Sequence, residues 1–186
     1  MRRVLLAIVS LVYSGAPISA LAQATGANVS MTGPLEQQFA GDLTALHDKV
    51  HALARAIPAE KYSWRPATDV RTVSQVLMHM VGEWFYLCPR AIVAKPPADF
   101  GAPGEKMRAL ELVAEKNDVL AQLEKSWAHC RAALDKIDPA RLVADSLPGK
   151  MGFPRVVLLV SGDQHEHLGQ LIAYARSLGI VPPWSK

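Results

Sequence analysis

Strand-forming clusters are scarce in this sequence, aromatic residues make up only 6% of it, and Cys88 and Cys130 are its 2 cysteines. Without runs of β-branched and aromatic residues of strand length, an all-β or doubly wound architecture has little to build on. No Gly-x-Ser-x-Gly elbow, no Cys-x-x-Cys pair and no phosphate-cradling glycine loop occurs, which removes the common signatures of serine hydrolases, dithiol redox proteins and nucleotide-binding loops. An excess of charge is missing too. The formal net charge is +3, of which Arg2 and Arg3 supply two, so the chain from Gln23 onward carries +1. That lacks the electrostatic attraction behind most nonspecific nucleic-acid binding, and no nucleic-acid partner is expected.

What the chain does have is a globular composition, 50% hydrophobic and 20% charged over 186 residues, consistent with one domain. Its first residues read as an address. Met1-Arg2-Arg3 is a basic start, Val4 to Val12 an apolar run, and Ala20-Leu21-Ala22 the small-x-small pattern cut by signal peptidase before Gln23. Residues 1–22 are therefore expected to be a signal peptide, and 23–186 the working domain. A membrane anchor is the rival reading, which Gly15 and Pro17 weaken. The mature protein is then expected to be periplasmic or secreted, with no membrane attachment after cleavage, in a compartment where the two cysteines can pair.

Punctuation and hydrophobic period predict four helices, and hence an all-α four-helix bundle. Pro34 opens the first, with Phe39, Leu43, Leu46, Val50, Leu53 and Ile57 at steps of four and three before Pro58. Thr72 and Gln75, in capping-box spacing, open the second, which carries Val76, Met80, Trp84 and Leu87 to Cys88-Pro89. The stretch from Pro89 to Gly104 reads as a long loop, either a lid or a crossover. The third helix holds Leu120, Leu123, Trp127, Cys130, Leu134 and Ile137 in one stripe, which places Cys130 in the core. After a turn at Pro148-Gly149, Pro154 begins a fourth helix that runs to Gly179.

The polar residues inside those stripes carry the chemistry. Asp163 and His167 lie four apart, separated by about 40° around the last helix, and converge on its inward face. An aspartate there needs a partner or a cation to offset desolvation. His79 on the second helix is the natural third member. Two imidazoles and a carboxylate suit a borderline divalent ion and leave positions open for water or substrate; the same three residues also suit a hydrogen-bonded core cluster. Glu83, one turn after His79, reads either as a base orienting a bound water or as a surface acid.

The segments Val73-Ser74-Gln75-Val76-Leu77-Met78-His79, His165-Glu166-His167-Leu168-Gly169-Gln170-Leu171-Ile172 and Tyr62-Ser63-Trp64-Arg65-Pro66 closely resemble the DinB-like family. The resemblance implies a four-helix bundle, often a homodimer, with a divalent metal held by one histidine of the second helix and a His-x-x-x-His pair of the last. Carried over, His79 is the first ligand and His167 the last. Aspartate stands at the middle position, as Asp163, which keeps a ligand there but shifts the preference from nickel or zinc toward iron or manganese. His165 points away from His167 on a regular helix and reads as a surface or interhelix residue. His47 and His51 flank the first stripe and read as a solvated face, while Gln170 reads as a hydrogen-bond partner behind His167. Trp84 reads as core or as a pocket wall. Two functions follow: an exported metal-dependent hydrolase or transferase acting on a small molecule, or a non-catalytic exported binding or dimerisation module of the same fold.

Overall fold

The computed structural model describes residues 34–91, 103–137 and 152–185. Residues 1–22, the Pro148-Gly149 turn and most of the stretch read as a loop after Ala91 lie outside them. Among the described residues there is no strand, and the helices are α1 (Leu35–Ala56), α2 (Val73–Ala91), α3 (Pro103–Leu110), α4 (Lys116–Leu134) and α5 (Phe153–Ser177). Short 3-10 turns lie at Ala59–Lys61 and Pro183–Ser185.

The ends of the long helices follow from local chemistry. At the start of α2 the Gln75 N–H donates to Thr72 Oγ1 (3.2 Å) and the Thr72 N–H donates to Gln75 Oε1 (2.9 Å), the reciprocal box that the spacing predicts. The end of α1 is closed by Lys116, whose Nζ donates to the Arg55 and Ile57 carbonyls at 2.8 and 2.6 Å. Pro58 cannot continue the helix. At the end of α5, Gly179 takes φ +75, a left-handed conformation that side chains disfavour. The Ile180 N–H reaches back to Ala175 O (2.8 Å) and the Gly179 N–H to Arg176 O (3.0 Å), which satisfies carbonyls that the helix leaves bare.

The four long helices close into a bundle in which α1 and α2 each lie against both α4 and α5. Their inward stripes, including Leu43, Leu53, Leu77, Trp84, Leu123, Phe153 and Leu171, form one buried core. Two features differ from the sequence reading. The second helix runs past Cys88-Pro89 to Ala91, and a further helix, α3, starts at the end of the stretch read as a loop and runs on to Leu110, where the sequence reading placed no element. Helix α3 packs on α2 at Gly82, where an added Cβ would stand 3.1 Å from Met107 Cγ and 3.2 Å from Met107 Cε. The absent side chain is what lets the two helices approach so closely.

His47 and His51 also differ from expectation. The flank of α1 that they occupy is covered by α4, so His47 is buried and its ring stacks on Trp127 at 4.4 Å and 10°. Beside it, His51 Nε2 lies 2.8 Å from Glu124 Oε1. Trp84 is fully buried, which makes it core rather than pocket wall.

Cys88 and Cys130 form a disulfide between α2 and α4 across a sequence separation of 42. By constraining the unfolded chain, a link of that span contributes about 2–4 kcal/mol. A Cys88→Ala/Cys130→Ala variant is expected to lose about that much stability in urea denaturation, with little change in secondary structure by circular dichroism.

Candidate metal centre

The capping box at Thr72 sets the register of α2 so that His79 and Glu83, one turn apart, both face α5. On α5, His167 comes from the stripe that buries Gln164, Leu168 and Leu171. The result is a compact group. His79 Nε2 lies 3.1 Å from Glu83 Oε1, and His167 Nε2 lies 3.7 Å from the same oxygen. The two imidazole rings stand nearly perpendicular at 79°, with centroids 4.9 Å apart. One ligating atom from each of His79, Glu83 and His167 lies within 4.8 Å of the other two. Ligands about 2.0–2.2 Å from a tetrahedral ion stand roughly 3.3–3.6 Å from one another, a range that the two distances to Glu83 Oε1 bracket, so an ion would be seated by the imidazoles closing in on it from a group spanning up to 4.8 Å.

The hydrogen bonds behind these residues decide which atoms face inward. A carboxylate can only accept, so at 3.0 Å from Glu111 Oε1 it is the His79 Nδ1–H that donates. On the other side the chain of bonds has one direction. The Tyr174 hydroxyl donates to Arg71 O (3.1 Å), Gln170 Nε2 donates to the Tyr174 oxygen (3.0 Å), and Gln170 Oε1 therefore accepts from His167 Nδ1 at 3.3 Å. Both rings thus present Nε2 to Glu83, whose other oxygen accepts from Gln164 Nε2. In neutral imidazoles those two Nε2 atoms are lone pairs aimed at an anionic oxygen. Three acceptors converging in a buried place need a cation among them, either a proton or a metal ion.

The electrostatics of the group agree with this. Burial alone would raise the Glu83 pKa, but hydrogen bonds with His167, His79 and Asp163 outweigh it and hold the carboxyl at about 2. The hydrogen bond with Glu83, joined by burial and the charge of Glu83, pushes Asp163 up to about 7. The hydrogen bond with Glu83 likewise raises His167 above its ordinary value, against the opposing effect of burial. Glu83 is thus the fixed anion, and protons collect on the groups around it.

Of the expected residues, His79 and His167 come together. Asp163 stands at the edge, its Oδ1 4.0 Å from His167 Nε2 and its side chain 38% exposed. The carboxylate between the two histidines is Glu83, whose side chain is only 5% exposed. The sequence signal for Glu83 was its place one turn after His79 within an otherwise apolar stretch, where an acid needs a partner. Glu111 and Arg71 carried no such signal, because it is the docking of α3 on α2 that brings them to His79. His165 pairs with Asp42 of α1 at 2.9 Å, the interhelix role expected for it.

Comparison with known proteins places the chain in a family. The sequence profile of the DinB superfamily matches residues 42–171, a span that includes His79, Glu83, Asp163 and His167. A crystal structure of a conserved protein from Enterococcus faecalis is similar with a TM-score of 0.58 and 17% identity, covering 78% of this chain and 97% of that one. At that identity the likeness is one of fold. No curated protein matches the sequence. The match over most of the bundle and the helical architecture lead to one conclusion: the chain belongs to the DinB superfamily.

Proposed function

We propose that this protein is an exported metal-dependent hydrolase or transferase acting on a small molecule, with a divalent ion held by His79, Glu83 and His167. The observation that carries the proposal is the convergence of two imidazole Nε2 atoms on a buried carboxylate, each ring fixed from behind through Nδ1. This donor set of two nitrogens and one oxygen fits zinc, nickel, iron or manganese. The chemistry that an ion held by His79, Glu83 and His167 would supply is polarisation of a bound substrate or a lowered pKa for a bound water or thiol.

The protein's own residues would do the rest. Gln164 holds Glu83 through its second oxygen, so the carboxylate keeps one orientation. Gln170 and Glu111 keep both imidazoles facing inward. Asp163, at the half-exposed rim and hydrogen-bonded to Glu83, is itself placed to give a proton to, or take one from, a group bound beside the ion. The roles expected of the two carboxyl residues are thereby exchanged in our reading, with Glu83 as ligand and Asp163 beside the reacting position. Export is supported by the basic and apolar residues ahead of Gln23, and by the disulfide between Cys88 and Cys130, a bond that persists in oxidising compartments. A homodimer belongs to the same reading.

Two outcomes test this proposal. Purified protein is expected to take up one equivalent of divalent metal, and a free concentration a hundred times Kd should stabilise the native state by about 2.7 kcal/mol. The His167→Ala variant should show neither the uptake nor the rise in melting temperature, and should lose the turnover of any substrate the wild type accepts. Metal uptake that survives this substitution would sink the proposed ligand set.

The second outcome concerns pH. An ion held by these ligands requires His167 to give up its proton, and the ion's charge favours loss of the proton that the neighbouring Asp163 holds up to about pH 7. Affinity should therefore rise with pH and level off above neutrality. Competition titrations at pH 5.5 and pH 8 are expected to differ by at least about tenfold.

A further inference from the structure

His79 depends on a carboxylate that belongs to neither of the helices carrying the ligands. Glu111 Oε1 lies 3.0 Å from His79 Nδ1 and 3.2 Å from Arg71 Nε, so one oxygen accepts from both. Arg71 in turn accepts the Tyr174 hydroxyl at its carbonyl, and the chain Tyr174, Gln170, His167 starts from that bond. Both inward-facing imidazoles are therefore anchored, from opposite sides, on Arg71. Glu111 sits in the turn that ends α3, where its N–H donates to Met107 O (3.2 Å) and the Val113 N–H to Leu110 O (2.9 Å). Helix α3 reaches α2 through Met107, against the bare backbone of Gly82, one residue before Glu83.

We infer that Glu111 is a positioning residue of the metal centre, and that metal binding is thereby coupled to the docking of α3 on α2. The inference rests on the reading of His79 as a ligand. A carboxylate accepting from Nδ1–H fixes the ring orientation, leaves Nε2 as the lone pair that binds, and makes that nitrogen more basic. Removing such a partner typically weakens metal binding 10–100-fold. Because α3 delivers Glu111, any ion that tightens the bond between His79 and Glu111 also tightens α3 on the bundle. By reciprocity, a loosened α3 weakens the ion by the same factor.

The test uses zinc, titrated against a competing chromophoric chelator, with Glu111→Ala and Glu111→Gln beside the wild type. Glu111→Ala is expected to weaken zinc binding about 10–100-fold, and Glu111→Gln, which keeps an acceptor, to recover most of the loss. Hydrogen exchange should show zinc slowing the amides of residues 105–113 in the wild type and not in Glu111→Ala. Wild-type zinc affinity in Glu111→Ala, or equal losses in both variants, would overturn the inference while leaving the ligand set intact. A wild type that binds no zinc would instead fail the metal reading. The positioning role is then decided by the nitrogen-bound protons of His79 in NMR of the metal-free protein. A slowly exchanging Nδ1–H present in the wild type and lost in Glu111→Ala upholds it, and one that persists in the variant overturns it.

Discussion

A buried carboxylate between two histidines is the constraint on which the rest of this protein depends. Glu83 is almost fully enclosed and ionised, and an unpaired charge in such a place would cost several kcal/mol. It is tolerable only because Gln164, His79, His167 and Asp163 all meet it. Each of those partners needs its own support, which explains why polar residues recur along one side of an otherwise apolar bundle. Gln170, Tyr174, Arg71 and Glu111 form the outer ring of that support.

Helix α2 is the element through which these demands are met. It lies against α3, α4 and α5, carries both His79 and Glu83, and is tied to α4 by the disulfide at its far end. The capping box fixes where it begins, and Gly82 fixes how closely α3 can lie on it. His79 and Glu83, one turn apart on α2, and His167 from α5 form an inner face that could hold a metal ion, with the half-exposed Asp163 and Arg71 at the rim.

Much of this was legible in the sequence, for reasons that can be named. The helices announced themselves because proline, glycine and the Thr72/Gln75 pair punctuate strongly periodic apolar runs. His79 and His167 stood out because a titratable side chain on a buried stripe demands an explanation. The choice between Glu83 and Asp163 was not legible. Both lie one turn from a histidine on the same inward faces, and only the packing of α2 against α5 decides which carboxylate reaches between the rings. Nor were α3 and Glu111 visible, since an eight-residue helix after a proline-rich stretch has too few turns to show a period. His47 and His51 were misread because α4 covers more of α1 than its apolar stripe alone suggests, Trp127 stacking over a polar ring.

In the proposed function Glu83, and not Asp163, is the carboxylate that would complete the metal centre. The most direct measurement compares metal stoichiometry and affinity in Glu83→Gln and Asp163→Asn, with the melting temperature of each metal-free variant as a check that the bundle is intact. Glu83→Gln is expected to bind no stoichiometric metal while Asp163→Asn still binds one equivalent. Binding retained in Glu83→Gln and lost in Asp163→Asn would contradict it.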